Sequence, residues 1–408
     1  MTINLQDLRE SNEFLNLVLD NVGSAVLIAD ENLQIHQFNG SFLDLFDMAA
    51  EFPVAPKTFG EVSGCVNAVR ENKHCGETSQ CAHCVLRHSL IQTLIAGAPV
   101  DRRPLHRTFT VRGRAVDKYL RFTTRRVGYQ GRAMTLVIID DVTDIEQQKR
   151  ELERRQRLIE QDLKAAADIQ RCLLPEKRAA VMNLQTAWRF APCGRIGGDT
   201  FNIVPVDERR AGLYMLDVCG HGVPAAMISV AASQFLLSGR GLLGSGCELT
   251  SPETVLNHLD EEFPFERFDS YFSIVCLTVE IDRGRLVYAS AGHPPPLLLR
   301  RRGGLEVLDH RGPVIGYGAG GAFRQAELEL EPGDQVVLYT DGIFENRNRA
   351  GRPFGRERFY RTVGRGAGLP VAERVAAVFD EVRGFLAGAE PDDDISLFGI
   401  EYIGPPAA

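Results

Sequence analysis

Between Thr143 and Leu174 the chain contains no glycine and no proline, and the first helix stop is Pro175. The segment is rich in Glu, Gln, Lys, Arg and Leu, a composition that sustains one long helix. It divides the 408 residues into three stretches: 1–142, 143–175 and 176–408. Ile145, Leu152, Ile159, Ala166 and Leu173 recur every seven residues, the period of a coiled-coil seam. The companion positions Gln148, Arg155 and Asp162 are polar, so the seam is a weak one. A parallel homodimer through this linker helix is expected, with a solvated single helix as the alternative.

The chain as a whole has an ordinary globular composition, 44% hydrophobic and 25% charged. A net charge of −8 and the lack of a dominant basic run argue against nucleic acid as a partner. No run of about 18 apolar residues is present, so no membrane span is expected. The start, Met1 to Asp7, lacks the basic and apolar regions of a signal peptide, and a cytoplasmic location is expected. In that reducing compartment the nine cysteines should be free thiols or metal ligands rather than disulfides.

In the first stretch, Ala25–Asp30 reads as a buried strand, followed by a turn at Glu31-Asn32 and a second strand from Leu33 to Phe38 ending at Asn39. Lys118–Arg125 and Arg132–Asp140 read as a closing hairpin. This arrangement resembles a PAS sensory domain over residues 1–142. Within it, Cys65, Cys75, Cys81 and Cys84 fall inside twenty residues, interleaved with His74, His83 and His88. A Cys-x2-Cys pair is a frequent chelating geometry, and four thiolates suit Zn²⁺ or an iron–sulfur cluster. Redox-linked disulfides and incidental thiols are the alternatives.

The third stretch alternates strands, Gly/Pro turns and a few helices, of which Val223–Leu237 and Val371–Leu386 are the clearest. Expected strands include 213–216, 271–281, 285–289, 296–300, 336–340 and 395–401. Short acidic motifs mark strand ends: Gly197-Gly198-Asp199, Asp217-Val218-Cys219-Gly220-His221-Gly222, Thr340-Asp341-Gly342 and Asp392-Asp393-Asp394. Any one Asp beside Gly is an ordinary turn. Together they are carboxylates gathered without thiolate or imidazole partners, which suits hard cations such as Mg²⁺ or Mn²⁺.

These motifs, with Leu173-Leu174-Pro175, Ala291-Gly292-His293-Pro294-Pro295 and Tyr339-Thr340-Asp341-Gly342, occur in the order found in the SpoIIE/RsbU-like branch of the PPM serine/threonine phosphatases, which residues 176–408 resemble. The resemblance implies an α+β chain: an N-terminal PAS domain, a helical coiled-coil linker, and a C-terminal PPM-type phosphatase β-sandwich flanked by helices. It implies two Mn²⁺ or Mg²⁺ ions, with Asp217 bridging both, the Val218 carbonyl as a further ligand, Asp341 and Asp393 on one metal, and Asp199 across the site. Asp394 joins the candidate ligands, and Asp199, Asp217, Asp341 and Asp393 are the candidate catalytic residues. Two such cations can activate water for an in-line phosphoryl displacement without a covalent nucleophile.

The resemblance further implies a phosphorylated STAS-domain anti-sigma-factor antagonist as substrate, in a partner-switching pathway. The chain departs from the family pattern at Asn202 (Asp), Cys219 (Ser), Phe344 (Thr) and Ser396 (Thr), none of them an expected ligand. His221 is either a proton donor or a turn residue, and His293 reads as a turn histidine. Two other functions remain open on the sequence. One is a non-catalytic redox or metal-sensing binding module. The other is a diguanylate cyclase, since Gly197-Gly198-Asp199-Thr200-Phe201 is one residue from GGDEF; that reading lacks the acidic residue where Thr200 stands and leaves Asp217, Asp341 and Asp393 without a role.

Overall fold

The computed structural model describes residues 17–19, 21–48, 57–129, 131–175, 180–238, 251–318, 323–366 and 368–405. Its contacts divide the chain into two compact units, Met1–Arg157 and Leu158–Ala408, and the division falls inside the helix Thr143–Arg171.

The first unit holds an antiparallel sheet in the order Lys57–Thr58, Gln34–Phe38, Ala25–Ala29, Arg132–Asp141, Arg114–Tyr129, Val100–Val111. Ala25, Leu27 and Ala29 point inward and their neighbours are half-buried, so the strand expected to be buried presents one face to the core. Its partners across that face are Phe42, Phe109, Phe122, Val137 and Ile139. Asn39 ends the second strand and caps the helix Gly40–Phe46, its Oδ1 accepting from Phe42 N at 3.2 Å and Val26 N at 2.9 Å. Val100–Val111 escaped the sequence reading because Asp101, Arg102 and Arg103 open it and only Leu105 and Phe109 are buried.

The helix predicted over the linker spans 29 residues, Thr143–Arg171. The seam residues Ile145, Leu152 and Ile159 are 63%, 66% and 59% exposed. Among the described residues no helix is long and apolar enough to cross a membrane.

The second unit stacks two antiparallel sheets. One runs Ala326–Glu329, Arg285–Ala291, Phe272–Glu280, Arg210–Val218, Thr200–Pro205; the other runs Leu305–Val307, Leu297–Leu299, Gln335–Tyr339, Ile395–Tyr402, Leu184–Ala191, Ala180–Val181. Strand periodicity assigns each side chain to a layer. Leu213 and Met215 enter the core between the sheets with Phe201, Leu338 and Phe398. Tyr214, Leu216 and Val218, one residue out of phase, pack beneath the helices Val223–Leu237 and Pro252–Glu262. Val337 and Tyr339 do the same beneath Arg356–Val363 and Val371–Leu386. Both faces are therefore covered, which is why these strands read as continuous apolar runs. Phe201 and Phe398 stack across the sandwich at 5.4 Å, and burying each such ring contributes roughly 1.5–3 kcal/mol.

The helices Val223–Leu237 and Val371–Leu386 have the bounds the sequence predicts, and the expected strands of the second unit are found to within three residues at each end; in the first unit the strand expected at Lys118–Arg125 runs four residues further at each end, Arg114–Tyr129. Pro252–Glu262 was not anticipated.

Candidate functional site

Sheet register brings the acidic motifs to one edge of the sandwich. Thr200 opposes Leu216, so Asp199 and Asp217 sit at the same end of neighbouring strands. In the other sheet Tyr339 opposes Leu397, and Thr340 N–H donates to Ser396 O at 3.2 Å, which sets Asp341 beside Asp393 and Asp394. Glycines permit the approach. A Cβ on Gly342 would stand 2.0 Å from Asp394 O, one on Gly197 2.0 Å from Asp394 Oδ2, and one on Gly198 2.8 Å from Val218 O.

Asp217, Val218, Asp341 and Asp393 line a cleft of about 400 Å³ together with Cys219, Tyr271, His293, Arg311, Phe344 and Arg356. Asp199 and Asp394 lie behind its wall and are buried. Asp199 Oδ2 accepts from Thr340 Oγ1 at 2.8 Å and Ser396 Oγ at 2.5 Å. Asp394 Oδ1 accepts from Cys193 N at 2.8 Å and Oδ2 from Asp199 N at 3.3 Å. Asn346, which the sequence reading passed over, holds the last motif: its Oδ1 accepts from Asp392 N at 2.5 Å and its Nδ2 donates to Asp393 O at 2.9 Å. Its only sequence signal is an amide five residues after Asp341; its burial shows only in the structure.

The electrostatics are those of negative charge short of a counter-charge. Burial, then Asp341, Asp393 and Asp394, push the Asp217 carboxyl up to about 8. Burial and the Asp217 charge raise Asp199 well above the carboxylate range. Asp393 rises to about 6, by burial first and Asp341 and Asp394 next, although the amide of Asp394 opposes the shift. Asp341 Oδ1 is buried with no hydrogen-bond partner. Among the described residues no three His, Cys, Asp or Glu side chains already form a group that could hold an ion. The donors are nevertheless all oxygen, and one is orphaned, so the residues present fit a hard divalent cation.

The remaining candidates separate clearly. His293 is buried, with Nδ1 2.9 Å from Ser273 Oγ, and burial lowers its pKa to about 3, so it is neutral. His221 is exposed on the turn before Val223–Leu237 and does not line the cleft. Asn202 faces the linker exit, its Nδ2 donating to Leu173 O at 2.8 Å. Phe344 is buried beneath the Arg356 guanidinium, 4.8 Å from its ring centre. Cys65, Cys75, Cys81 and Cys84 are free thiols of the first unit, and they form no ready-made metal cage either.

Two stacked sheets with helices on their outer faces make a PP2C-like fold, and the SiaA-PP2C domain of Pseudomonas aeruginosa shares it. That structure matches with a TM-score of 0.53 and 22% identity, covering 61% of this chain and 98% of its own. Residues 207–402, within the second unit, match the family model described as Stage II sporulation protein E (SpoIIE). The chain is similar to phosphoserine phosphatase RsbP of Bacillus subtilis (strain 168), 29% identical over 155 residues, 37% of each protein. It is also similar to phosphoserine phosphatase RsbU of the same organism, 27% identical over 198 residues, 48% of this chain and 57% of that one. The chain thus spans less than two thirds of either relative. The GGDEF-like reading finds no support: Thr200 opens an antiparallel sandwich strand, and Asp199 is engaged by Thr340 and Ser396.

Proposed function

We propose that this chain is a metal-dependent phosphoprotein phosphatase acting on phosphoserine or phosphothreonine. The observation that carries the reading is the single cleft that Asp217, Asp341 and Asp393 line from three strand ends, with Asp217 pushed up to about 8 and an orphaned Asp341 oxygen. Asp217, the Val218 carbonyl, Asp341 and Asp393 would hold two Mg²⁺ or Mn²⁺ ions, while Asp199 and Asp394 fix the backbone around them. When bound, those ions supply the positive charge that activates water and neutralises the phosphoryl group. The chain's own part is to orient: Asn346 fixes the Asp392-Asp393 turn, and Thr340 and Ser396 anchor Asp199. His293, neutral and hydrogen-bonded to Ser273, shapes the cleft wall.

The first unit is read as a PAS-type sensor spanning 1–142. In support, its first strand, Ala25–Ala29, pairs with the last strand of the closing hairpin, Arg132–Asp141, at the centre of one antiparallel sheet. The linker over 143–175 is read as a dimer helix, because Ile145, Leu152 and Ile159 are exposed apolar residues at heptad spacing. The substrate is read, from the family resemblance, as a phosphorylated STAS-domain antagonist of an anti-sigma factor; the similarity to the phosphoserine phosphatases RsbP and RsbU supports its phosphoserine part.

Mn²⁺-dependent release of phosphate from a phosphoserine STAS protein by the full chain, lost in Asp217→Ala, is the expected result. Metal-independent turnover, or full activity in Asp217→Ala, contradicts the reading. Tight binding of the phosphoprotein without release favours a binding module.

A further inference from the structure

The thiols of the first unit have no part in phosphoryl transfer, yet the fold arranges them asymmetrically. Cys81 Sγ accepts the Gly76 N–H at 3.1 Å and lies 2.9 Å from Thr78 Oγ1. Gly76 follows Cys75 directly, so the amide that bonds one sulfur belongs to the residue beside the other. Two guanidiniums stand close by. Arg87 packs on Gly76, with Nη1 2.8 Å from where a Cβ would be, and Arg107 donates to Cys65 Sγ at 3.7 Å while its Nε is buried without a hydrogen-bond partner.

Cys81 and Cys75 are both partly exposed, but their surroundings differ. Partial burial of Cys81 is outweighed by the Thr78 hydroxyl and the Gly76 amide, which hold its thiol below the usual range. Burial pushes the Cys75 thiol up. A donor-rich, cation-flanked and accessible sulfur is the environment of a reactive thiolate. Its neighbour, kept protonated, suits a second thiol that reacts only once the first is oxidised.

We propose that Cys81 is a hydroperoxide-reactive thiolate that closes a reversible disulfide with Cys75, making the first unit a thiol redox sensor. The Cys81 thiolate attacks one peroxide oxygen and the O–O bond breaks. The departing alkoxide or hydroxide takes a proton, leaving Cys81 as the sulfenic acid. Cys75 sulfur then attacks Cys81 sulfur, its proton going to the departing hydroxide. Two thiols and one hydroperoxide thus yield one disulfide, one alcohol (water when hydrogen peroxide is the oxidant) and one water. Return to the thiols requires a dithiol reductant.

The test uses the full reduced chain, with alkylation at pH 7 followed by peptide mass spectrometry. Cys81 is expected to react with iodoacetamide several-fold faster than the exposed Cys172. Hydrogen peroxide is expected to produce a peptide linking Cys75 to Cys81. In Cys75→Ser a dimedone-trapped sulfenic acid should replace it, and in Cys81→Ser neither product should form. Equal alkylation of Cys81 and Cys172 in the unaltered protein would overturn the proposal, as would a disulfide that persists in Cys81→Ser. Stoichiometric zinc or iron held by these thiols after anaerobic purification would overturn it too.

Discussion

Gln170, on the last turn of the helix Thr143–Arg171, bonds both backbone polar groups of Gly197: its Nε2 donates to Gly197 O at 2.7 Å, and Gly197 N–H donates to its Oε1 at 3.2 Å. Gly197 in turn lies against the Asp394 carboxylate so closely that no Cβ fits between them. The end of the linker is therefore one peptide away from the acidic cluster, and Ala167, Ile196 and Ala226 pack around the same contact. A shift or rotation of the helix end would move Gly197, and with it the cluster's backbone.

Gln170→Ala leaves two buried backbone groups without partners, a cost of about 1–3 kcal/mol. The expected result is weaker Mn²⁺ binding by calorimetry, with a fall in melting temperature and retained far-UV circular dichroism. Unchanged metal affinity would mean that the contact holds the fold but not the site.

Gly342→Ala places a methyl group only 2.0 Å from Asp394 O. Because the Asp393-Asp394 turn must give way, turnover is expected to drop by about a hundredfold, the cost of a misplacement near 1 Å. Phosphate release at saturating Mn²⁺ measures it.

The metal-free chain should lose stability as pH rises. Asp217 titrates near 8 in the fold against 3.8 for the free side chain, so between those values the folded state binds more protons than the unfolded one. Stability is then fullest below about 4 as far as this group is concerned, and its contribution is lost progressively up to about 8. Melting in EDTA at pH 5.5 and 8 should show the decline, and Asp217→Asn should flatten it. Added Mg²⁺ or Mn²⁺ should stabilise more at pH 8 than at pH 5.5, where protons compete.

Arg356 is exposed, stacks on Phe344, has no ion pair among the described residues and lines the cleft beside Asp341 and Asp393. Arg356→Ala is expected to raise KM for a phosphoprotein several-fold. Removing an exposed side chain should change stability by no more than about 0.5 kcal/mol. Steady-state kinetics beside a denaturant melt separates the two.

The sequence by itself determined the linker helix, because an unbroken run without Gly or Pro needs no tertiary partner to specify it. It determined the sandwich strands, because double burial leaves an apolar run that few other structures tolerate, and it marked the carboxylates, because glycine turns at strand ends are a local signal. Tertiary structure alone decided which carboxylates face the cleft. Asp394 and Asp199 carry the same side chain as Asp393 and Asp217, but amides and hydroxyls from distant strands engage them behind the wall. Val100–Val111 and Pro252–Glu262 also took form only through the surfaces they cover. Gln170 and Asn346 are single polar residues with no pattern around them, and their partners lie 27 and 46 residues away in the chain. Such contacts are set by how layers stack, which no local window of sequence records.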